Sequence, residues 1–484
     1  MYYHSTRDDK TKYSASQAIM LGLAPDGGLF VPSEIPNWGH KLCSLMELSY
    51  QKLCFKVITE FFEEFRFDGQ FKNDILSAFD KFSVSNIVEV HKTNGKYYLE
   101  LFHGPTCAFK DLALSVLPFE IAAAKRFLKD ETETAVLVAT SGDTGKAALE
   151  AFGGLKNFKI SVIYPKDGVS KIQEMQMVNT TESNTFVCGL KGNFDECQGL
   201  VKAMISQKYD GVNVTSANSI NIARLIPQIA YYFYSYFLLV KQGEISLGDK
   251  INYSVPTGNF GNILSAYIAR KMGLPIEKLI CASNSNKVLA DFFKTGIYDR
   301  RREFVLTQSP SMDILVASNF ERLIWFATKD AKLVKKCMTK LNLDGFFDIN
   351  SLLEFLPEFF GSFATEKQTS EEIRRVFSKY NYLIDTHTAV ASYVSGKYAT
   401  GLKTIVASTA DPYKFCSAVL NAIGHNSDSD DELSIFEELH QITGVAVPFP
   451  LADLKNHSTV HDNTGNADTI QQKIKNFLEN KLND

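Results

Sequence analysis

The stretch Thr134 to Pro165, TAVLVATSGDTGKAALEAFGGLKNFKISVIYP, decides the fold. Thr134 to Thr140 is a mostly apolar run rich in β-branched side chains and reads as a buried strand. DTGKAALEAFGG then reads as a short helix closed by Gly153 and Gly154, and Phe158 to Pro165 as the next strand. The pattern recurs between Ile251 and Asn284, where INYSVP, NILSAYIARKMG and KLICASN give strand, helix and strand. Apolar strands alternating with helices of about 10–15 residues predict βαβ units, and so an α/β chain with a largely parallel sheet covered on both faces.

The alternation begins after Val88. Before it, a turn-rich start (APDGGLFVPSEIPNWG, Ala24 to Gly39) leads into two helical segments, about Leu45 to Phe65 and Gln70 to Phe82. KYYLELF (Lys96 to Phe102) reads as a strand, followed by a helix headed by Lys110 that Pro118 should bend. After Gly424, HNSDSDDE (His425 to Glu432) reads as a solvated acidic linker. The remainder, with one helical stretch near Ile470 to Leu482, reads as a peripheral appendage. No internal repeat is present.

Composition narrows the class. The 484 residues suffice for roughly three domain-sized units of about 150 residues. A net charge of -4 gives no electrostatic reason to expect nucleic acid or an anionic membrane as partner. The longest apolar run, Ile229 to Val240, is too short for a membrane span and contains Ser235. The N-terminus has neither a secretory nor a transit-peptide pattern. Eight cysteines without a CxxC pair read as reduced thiols, so a cytoplasmic protein is expected. His457 and His461 have HxxxH spacing in a polar stretch and read as two exposed histidines; no metal is expected.

Five segments carry candidate chemistry. HGPTCAFKD (His103 to Asp111) puts Lys110 at the head of an apolar stripe of Ala113, Leu114, Leu117 and Ile121. A lysine dried by such a wall loses hydration, its pKa falls, and it becomes a candidate Schiff-base nucleophile. On local sequence alone, a stem that snorkels out of a core helix is the favoured reading. PTGNFGN (Pro256 to Asn262), between a strand and a helix, has the glycines and the helix N-terminus that hold a phosphate; a purely structural βα turn fits equally well. TSGDTG (Thr140 to Gly145) could bind a carboxylate or phosphate through hydroxyls and N–H groups, or simply cap its helix. It is not a nucleotide P-loop, because two residues intervene between its glycines and Ala147 follows Lys146. SANSINIARLIPQ (Ser216 to Gln228) offers Asn218, Ser219 and Asn221 as caps and Arg224 as a phosphate clamp or an exposed ion-pairing arginine. STADPYKF places Ser408 and Thr409 at the carboxyl end of a strand, where open α/β sheets bind ligands and where turns also start.

Taken together and in order, these motifs resemble the threonine synthases, pyridoxal-phosphate enzymes of fold type II (tryptophan-synthase-β-like). The resemblance spans nearly the whole chain: STR (Ser5 to Arg7), DGGLF (Asp26 to Phe30), HGPTxAFKD, TSGDTG, KIQEMQM (Lys171 to Met177), NSIN (Asn218 to Asn221), GNFG, SMDI (Ser311 to Ile314), NFERL (Asn319 to Leu323), DTHTAV (Asp385 to Val390) and STAxPxKF. The DGGLF module and GNFG loop look more like the fungal and enteric-bacterial branch.

The resemblance implies two open, twisted, mostly parallel sheets with helices on both faces, plus an α-rich N-terminal module. It implies a module over 1–85, a two-lobed core over 86–430 with a smaller lobe at approximately 130–235, and an appendage over 431–484. Lys110 would hold pyridoxal 5'-phosphate; Gly258, Asn259, Phe260, Gly261 and Asn262 would cradle its phosphate. Thr409, or else Ser408, would bond the pyridine nitrogen, and Asp143 would stand beside the 3-oxygen. Thr140, Ser141 and Thr144 would hold the substrate carboxylate, and Arg224, Asn218, Ser219, Asn221 and Lys171 the leaving phosphate. The implied reaction converts O-phospho-L-homoserine and water to L-threonine and phosphate by γ-elimination and β-addition of water, in a monomer or homodimer. A phospho-lyase giving 2-oxobutyrate and a non-catalytic cofactor- or metabolite-binding protein are the alternatives. Asp411 departs from the family's usual His and is expected to point outward, capping the helix that follows it.

Overall fold

The computed structural model describes every residue except 94, 399–400, 428, 430 and 481–484. Strands β1 (Tyr3–Ser5), β2 (Asp8–Tyr13) and β3 (Phe30–Pro32) form a small antiparallel sheet ordered β2-β1-β3. β4 (Glu89–Thr93) and β5 (Lys96–Glu100) are an antiparallel pair. β6 (Glu133–Ala139), β7 (Phe158–Pro165), β8 (Thr185–Leu190) and β9 (Val212–Ser216) alternate with helices Asp143–Phe152, Lys171–Val178 and Phe194–Ile205. β10 (Ile251–Pro256) and β11 (Ile276–Ser283) flank helix Gly261–Lys271. β12 (Ile297–Asp299) pairs with β13 (Phe346–Asp348), and β14 (Phe359–Phe363), β15 (Thr404–Ser408) and β16 (Asn463–Gly465) complete the set.

The core strands form two sheets. One runs β16-β8-β7-β6-β9, parallel throughout; the other runs β14-β11-β10-β15-β5-β4, parallel except for β4. Chain order reverses at β6 in the first sheet and beside β10 in the second. Such switch points open crevices beyond the carboxyl ends of the strands. TSGDTG leaves β6, NSIN follows β9, GNFG leaves β10 and STADPYKF leaves β15, so topology alone sends four of the five chemical segments to one region.

The α/β reading holds, with local differences. The expected Leu45 to Phe65 helix is broken: Ser49 caps a new helix, Tyr50–Phe61, by accepting from the Lys52 N–H. The Lys110 helix also breaks, after Leu114, and Pro118 opens the second piece, Leu117–Leu128, where its missing N–H is harmless. The stripe residues Ala113, Leu114, Leu117 and Ile121 are all buried.

The C-terminal segment is not peripheral. β16 adds an edge strand to β8, and helix Ala467–Leu478 buries Ile470, Ile474, Phe477 and Leu478 against the same sheet. In the acidic stretch, Asp431 caps helix Glu432–Thr443, while residues 428 and 430 lie outside the described ones. His457 is exposed as expected, but His461 is half-buried beside the Thr185 hydroxyl.

The N-terminal module shares one hydrophobic core with both sheets. Its polar fixing is Glu321, whose carboxylate receives the Thr6 hydroxyl (2.6 Å), the Arg7 guanidinium (2.6 Å) and the Leu29 N–H (2.9 Å). The adjacent Arg322 is fully buried and donates to the carbonyls of Phe30, Ser219 and Ile220. The STR, DGGLF, NSIN and NFERL motifs thus meet in one knot.

Candidate active site

β5 leads into the turn His103 to Asp111, which Asp111 closes by accepting from the Thr106 N–H (2.9 Å) and hydroxyl (2.6 Å). A Cβ on Gly104 would strike that carboxylate. The Phe109 N–H donates to Thr409 O (2.8 Å) and the Asp411 N–H to Cys107 O (3.1 Å), bridging this turn to the chain after β15. Lys110 and Thr409 therefore reach the cleft together.

Burial pushes the Lys110 amine down to about 8; Asp143 opposes the shift, and Arg224 and Lys414 reinforce it. Its nitrogen lies 3.8 Å from Asp143 Oδ2. Burial alone would raise the Asp143 carboxyl, but Lys414, Lys110 and a 2.8 Å hydrogen bond from Gln173 hold it well below the usual carboxylate range.

The GNFG turn is built to meet a ligand. Phe260 adopts φ 66°, and a Cβ on Gly258 would sit 2.8 Å from the Ser311 carbonyl. Asn262 Oδ1 accepts from both the Tyr231 and Tyr232 hydroxyls at 2.6 Å, leaving its buried Nδ2 without a partner among the described residues. Asn259 Oδ1, an acceptor, is also buried and unpartnered among the described residues. Each such orphan costs about 1–3 kcal/mol unless a ligand satisfies it. The free N–H groups and positive end of helix Gly261–Lys271 favour an anion there.

Other segments divide between contact and support. Ser141 and Thr144 line the cleft and make no side-chain hydrogen bond among the described residues. The Thr140 hydroxyl instead shapes its own turn, bonding Gly142 O and the Gly142 and Gly145 N–H groups at 2.9 Å. The Asn218 amide is spent on Ala139, donating to its carbonyl (2.6 Å) and accepting from its N–H (3.0 Å), which bolts β9 to β6. The Ser219 hydroxyl lines the cleft and accepts from Asn319 (3.1 Å).

Three expected site residues lie away from the cleft lining. Asn221 caps helix Ile222–Leu225 and donates to Ile19 O, tying in the N-terminal module. Lys171 is exposed at the start of its helix. Ser408 is buried behind Thr409, bonded to the Thr388 hydroxyl (3.0 Å). Asp411 does cap the following turn, accepting from the Tyr413 N–H (2.9 Å), but inside the protein, where burial pushes its carboxyl up to about 7.

Sequence reasoning missed four contributors: Gln173, Ser311, His387 and Lys414. Ser311 donates its hydroxyl to Asp143 Oδ2 (3.3 Å) and its N–H to His387 Nε2 (3.2 Å), so the His387 proton sits on Nδ1, facing Asp385 (2.9 Å). All four occur in the KIQEMQM, SMDI, DTHTAV and STAxPxKF motifs, which was the available signal.

Comparison with known proteins decides the family. Residues 2–79 match the family described as "Threonine synthase N terminus", and residues 85–332 match "Pyridoxal-phosphate dependent enzyme". Threonine synthase of Saccharomyces cerevisiae is 35% identical over 91% of this chain and 93% of its own. The chain belongs to the threonine synthase family. It is 37% identical to human threonine synthase-like 1 over 86% of this chain and 59% of that protein. The crystal structure of pyridoxal-phosphate-bound threonine synthase from Brucella melitensis superposes with TM-score 0.87 at 34% identity, covering 99% of each chain. This family member is a pyridoxal-phosphate-dependent enzyme of fold type II, and the residues present fit the cofactor: a dry lysine, the unpaired Asn262 Nδ2 donor and a glycine with no room for a Cβ.

Proposed function

We propose that this enzyme converts O-phospho-L-homoserine and water to L-threonine and phosphate. The observation that carries the reading is a second anion-seeking group in the cleft. Arg224 is buried, spends one nitrogen on Ala217 O, leaves Nε unpartnered and forms no ion pair among the described residues. A buried guanidinium without a carboxylate calls for an anion. The cradle and Arg224, on different helices, suit a phosphorylated cofactor together with a phosphorylated substrate.

Pyridoxal phosphate, bound, supplies the electron sink that lets protons leave the substrate's α and β carbons. The cradle at Gly258 to Asn262 would grip its phosphate, Lys110 would hold it covalently, and Thr409 and Asp143 would flank its ring. Ser141 and Thr144 would take the substrate carboxylate, and Arg224 with Ser219 the phosphate that departs from the γ carbon. Lys110, half-neutral near pH 8, moves the α and β protons in turn. Thr140, Asn218 and Asn221 act as supports of these walls, and Lys171, exposed and outside the cleft lining, is given no role in this reading.

Incubating the holoenzyme with O-phospho-L-homoserine and resolving the products tests the reading. Threonine with equimolar phosphate supports it. Phosphate with 2-oxobutyrate alone replaces it with a lyase, and no phosphate release overturns it.

A further inference from the structure

Behind the cleft lies a second buried lysine to which the reaction assigns nothing. Lys414 is fully buried in the turn after β15 and does not line the Lys110 cleft. Its ammonium has three acceptors: Asp143 Oδ1 (3.0 Å), Thr106 O (2.9 Å) and Gln176 Oε1 (2.8 Å). These come from the small-lobe helices Asp143–Phe152 and Lys171–Val178 and from the turn that presents Lys110. All three ammonium protons of Lys414 thus have an acceptor.

The Asp143 carboxylate is divided between its two oxygens. Oδ1 takes Lys414 and Gln173, while Oδ2 takes Ser311 and faces Lys110 at 3.8 Å. Without Lys414, Lys110 would be the only lysine among the described residues left facing this buried anion, which would favour its ammonium form. We propose that Lys414 is a positioning residue for Lys110: it neutralises Asp143 from behind, so that Lys110 meets a closed ion pair and stays free to give up its proton. The charged or titratable groups facing Lys110 are Asp143, Arg224 and Lys414, with His387 on the same cleft wall as Ser311. The downward shift of the Lys110 amine agrees with this arrangement.

The test is a pH titration of the bound cofactor's visible absorbance in the holoenzyme, read for Lys414→Gln and Lys414→Arg. A second readout is the pH profile of Lys110 acylation in the full-length cofactor-free chain, quantified by mass spectrometry. Lys414→Gln should move both midpoints up by about one pH unit, and Lys414→Arg should restore them. A structural role alone would lower stability or cofactor content and leave both midpoints in place, which overturns the proposal. If Lys414→Gln does not fold, Asp143→Asn and the Asp143→Asn/Lys414→Gln double variant decide. The single variant bares a cation and should lower the midpoint; the neutral pair should return it to the parent value. Equal midpoints in those two proteins also overturn the proposal. The inference rests on the assigned role of Lys110, and the two failures differ: a parent holoenzyme without the visible absorbance of lysine-bound cofactor rejects that role, while a parent with that absorbance and variants with unmoved acylation midpoints reject Lys414.

Discussion

Asn262→Asp separates the phosphate cradle from everything else in the cleft. The change is nearly isosteric: Oδ1 keeps its two tyrosine donors at 2.6 Å, while the unpartnered Nδ2 becomes an oxygen. A donor to a charged phosphate is lost, at about 1.5–3 kcal/mol. A negative charge is also set against a dianion; at about 4 Å and an effective dielectric near 20, each unit pair adds about 4 kcal/mol. The hydrogen bond alone is about 10–100-fold in Kd, and the charge carries the expected loss beyond about 1,000-fold. Asn262→Ala, which adds no charge, should stop within the first range. Covalent attachment would mask these losses, so the Kd for pyridoxal phosphate is measured by equilibrium dialysis in a Lys110→Ala background. The cofactor-free variant should melt no lower than its parent, because the new oxygen meets the helix's free N–H groups and positive end. A Kd within about threefold of the parent would refute the cradle, since each tenfold is about 1.4 kcal/mol and the lost bond exceeds that.

Three further outcomes follow from the same geometry. With a midpoint near 8 in place of 10.5, Lys110 is about one-tenth free base at pH 7, some 300-fold more than an ordinary lysine. Acylation of the cofactor-free protein at pH 7 should therefore modify Lys110 among the first of its lysines; equal labelling with exposed Lys129 would contradict its dry setting. Gly258→Ala puts a Cβ 2.8 Å from a backbone carbonyl and 3.1 Å from Ile314 Cδ1. It should cost about 1–3 kcal/mol by thermal melting and weaken cofactor binding, whereas unchanged values of both would show that the 311–314 segment yields freely. Glu120 is fully buried with both carboxyl oxygens unpartnered among the described residues, and burial pushes its pKa well above the usual range. The folded state then keeps a proton that the unfolded chain releases above about pH 4.3, so stability falls as pH rises through that window, by up to about 1.4 kcal/mol per unit. Glu120→Gln should flatten the melting-temperature profile between pH 5 and 8; identical slopes in both proteins would show Glu120 to be ionised.

The layers of the fold were legible because parallel strands buried on both faces must be apolar runs, and TAVLVAT, FKISVIYP and INYSVP are such runs. What escaped has equally physical reasons. β16 is Asn-Thr-Gly, three residues with no apolar pattern, whose pairing with β8 comes from the helix that follows and its four buried side chains. The Ser49 cap and the break after Leu114 are decided by where neighbouring elements pack, which one stretch of sequence does not record.

In the site, the segments were legible and the division of labour within them was not. A hydroxyl or amide after a strand can grip a ligand or fasten the wall that does, and local sequence is the same in both cases. Thr140, Asn218 and Asn221 fasten walls because each finds backbone groups within reach that would otherwise be buried unpaired. Ser141, Thr144 and Asn262 Nδ2 find none among the described residues and, on the proposed reading, are left for the ligand. The same logic explains the knot around Glu321 and Arg322. Packing the N-terminal segment against the chain after β9 buries carbonyls at Phe30, Ser219 and Ile220, and a fork of guanidinium donors satisfies all three at once. Lys110 itself asks only for an amine beside an apolar wall and a neutralised carboxylate. Its few neighbours have demanding geometry, so on the proposed reading motif residues such as Asp111, Gln173 and Ser311 serve to place Lys110 and Asp143.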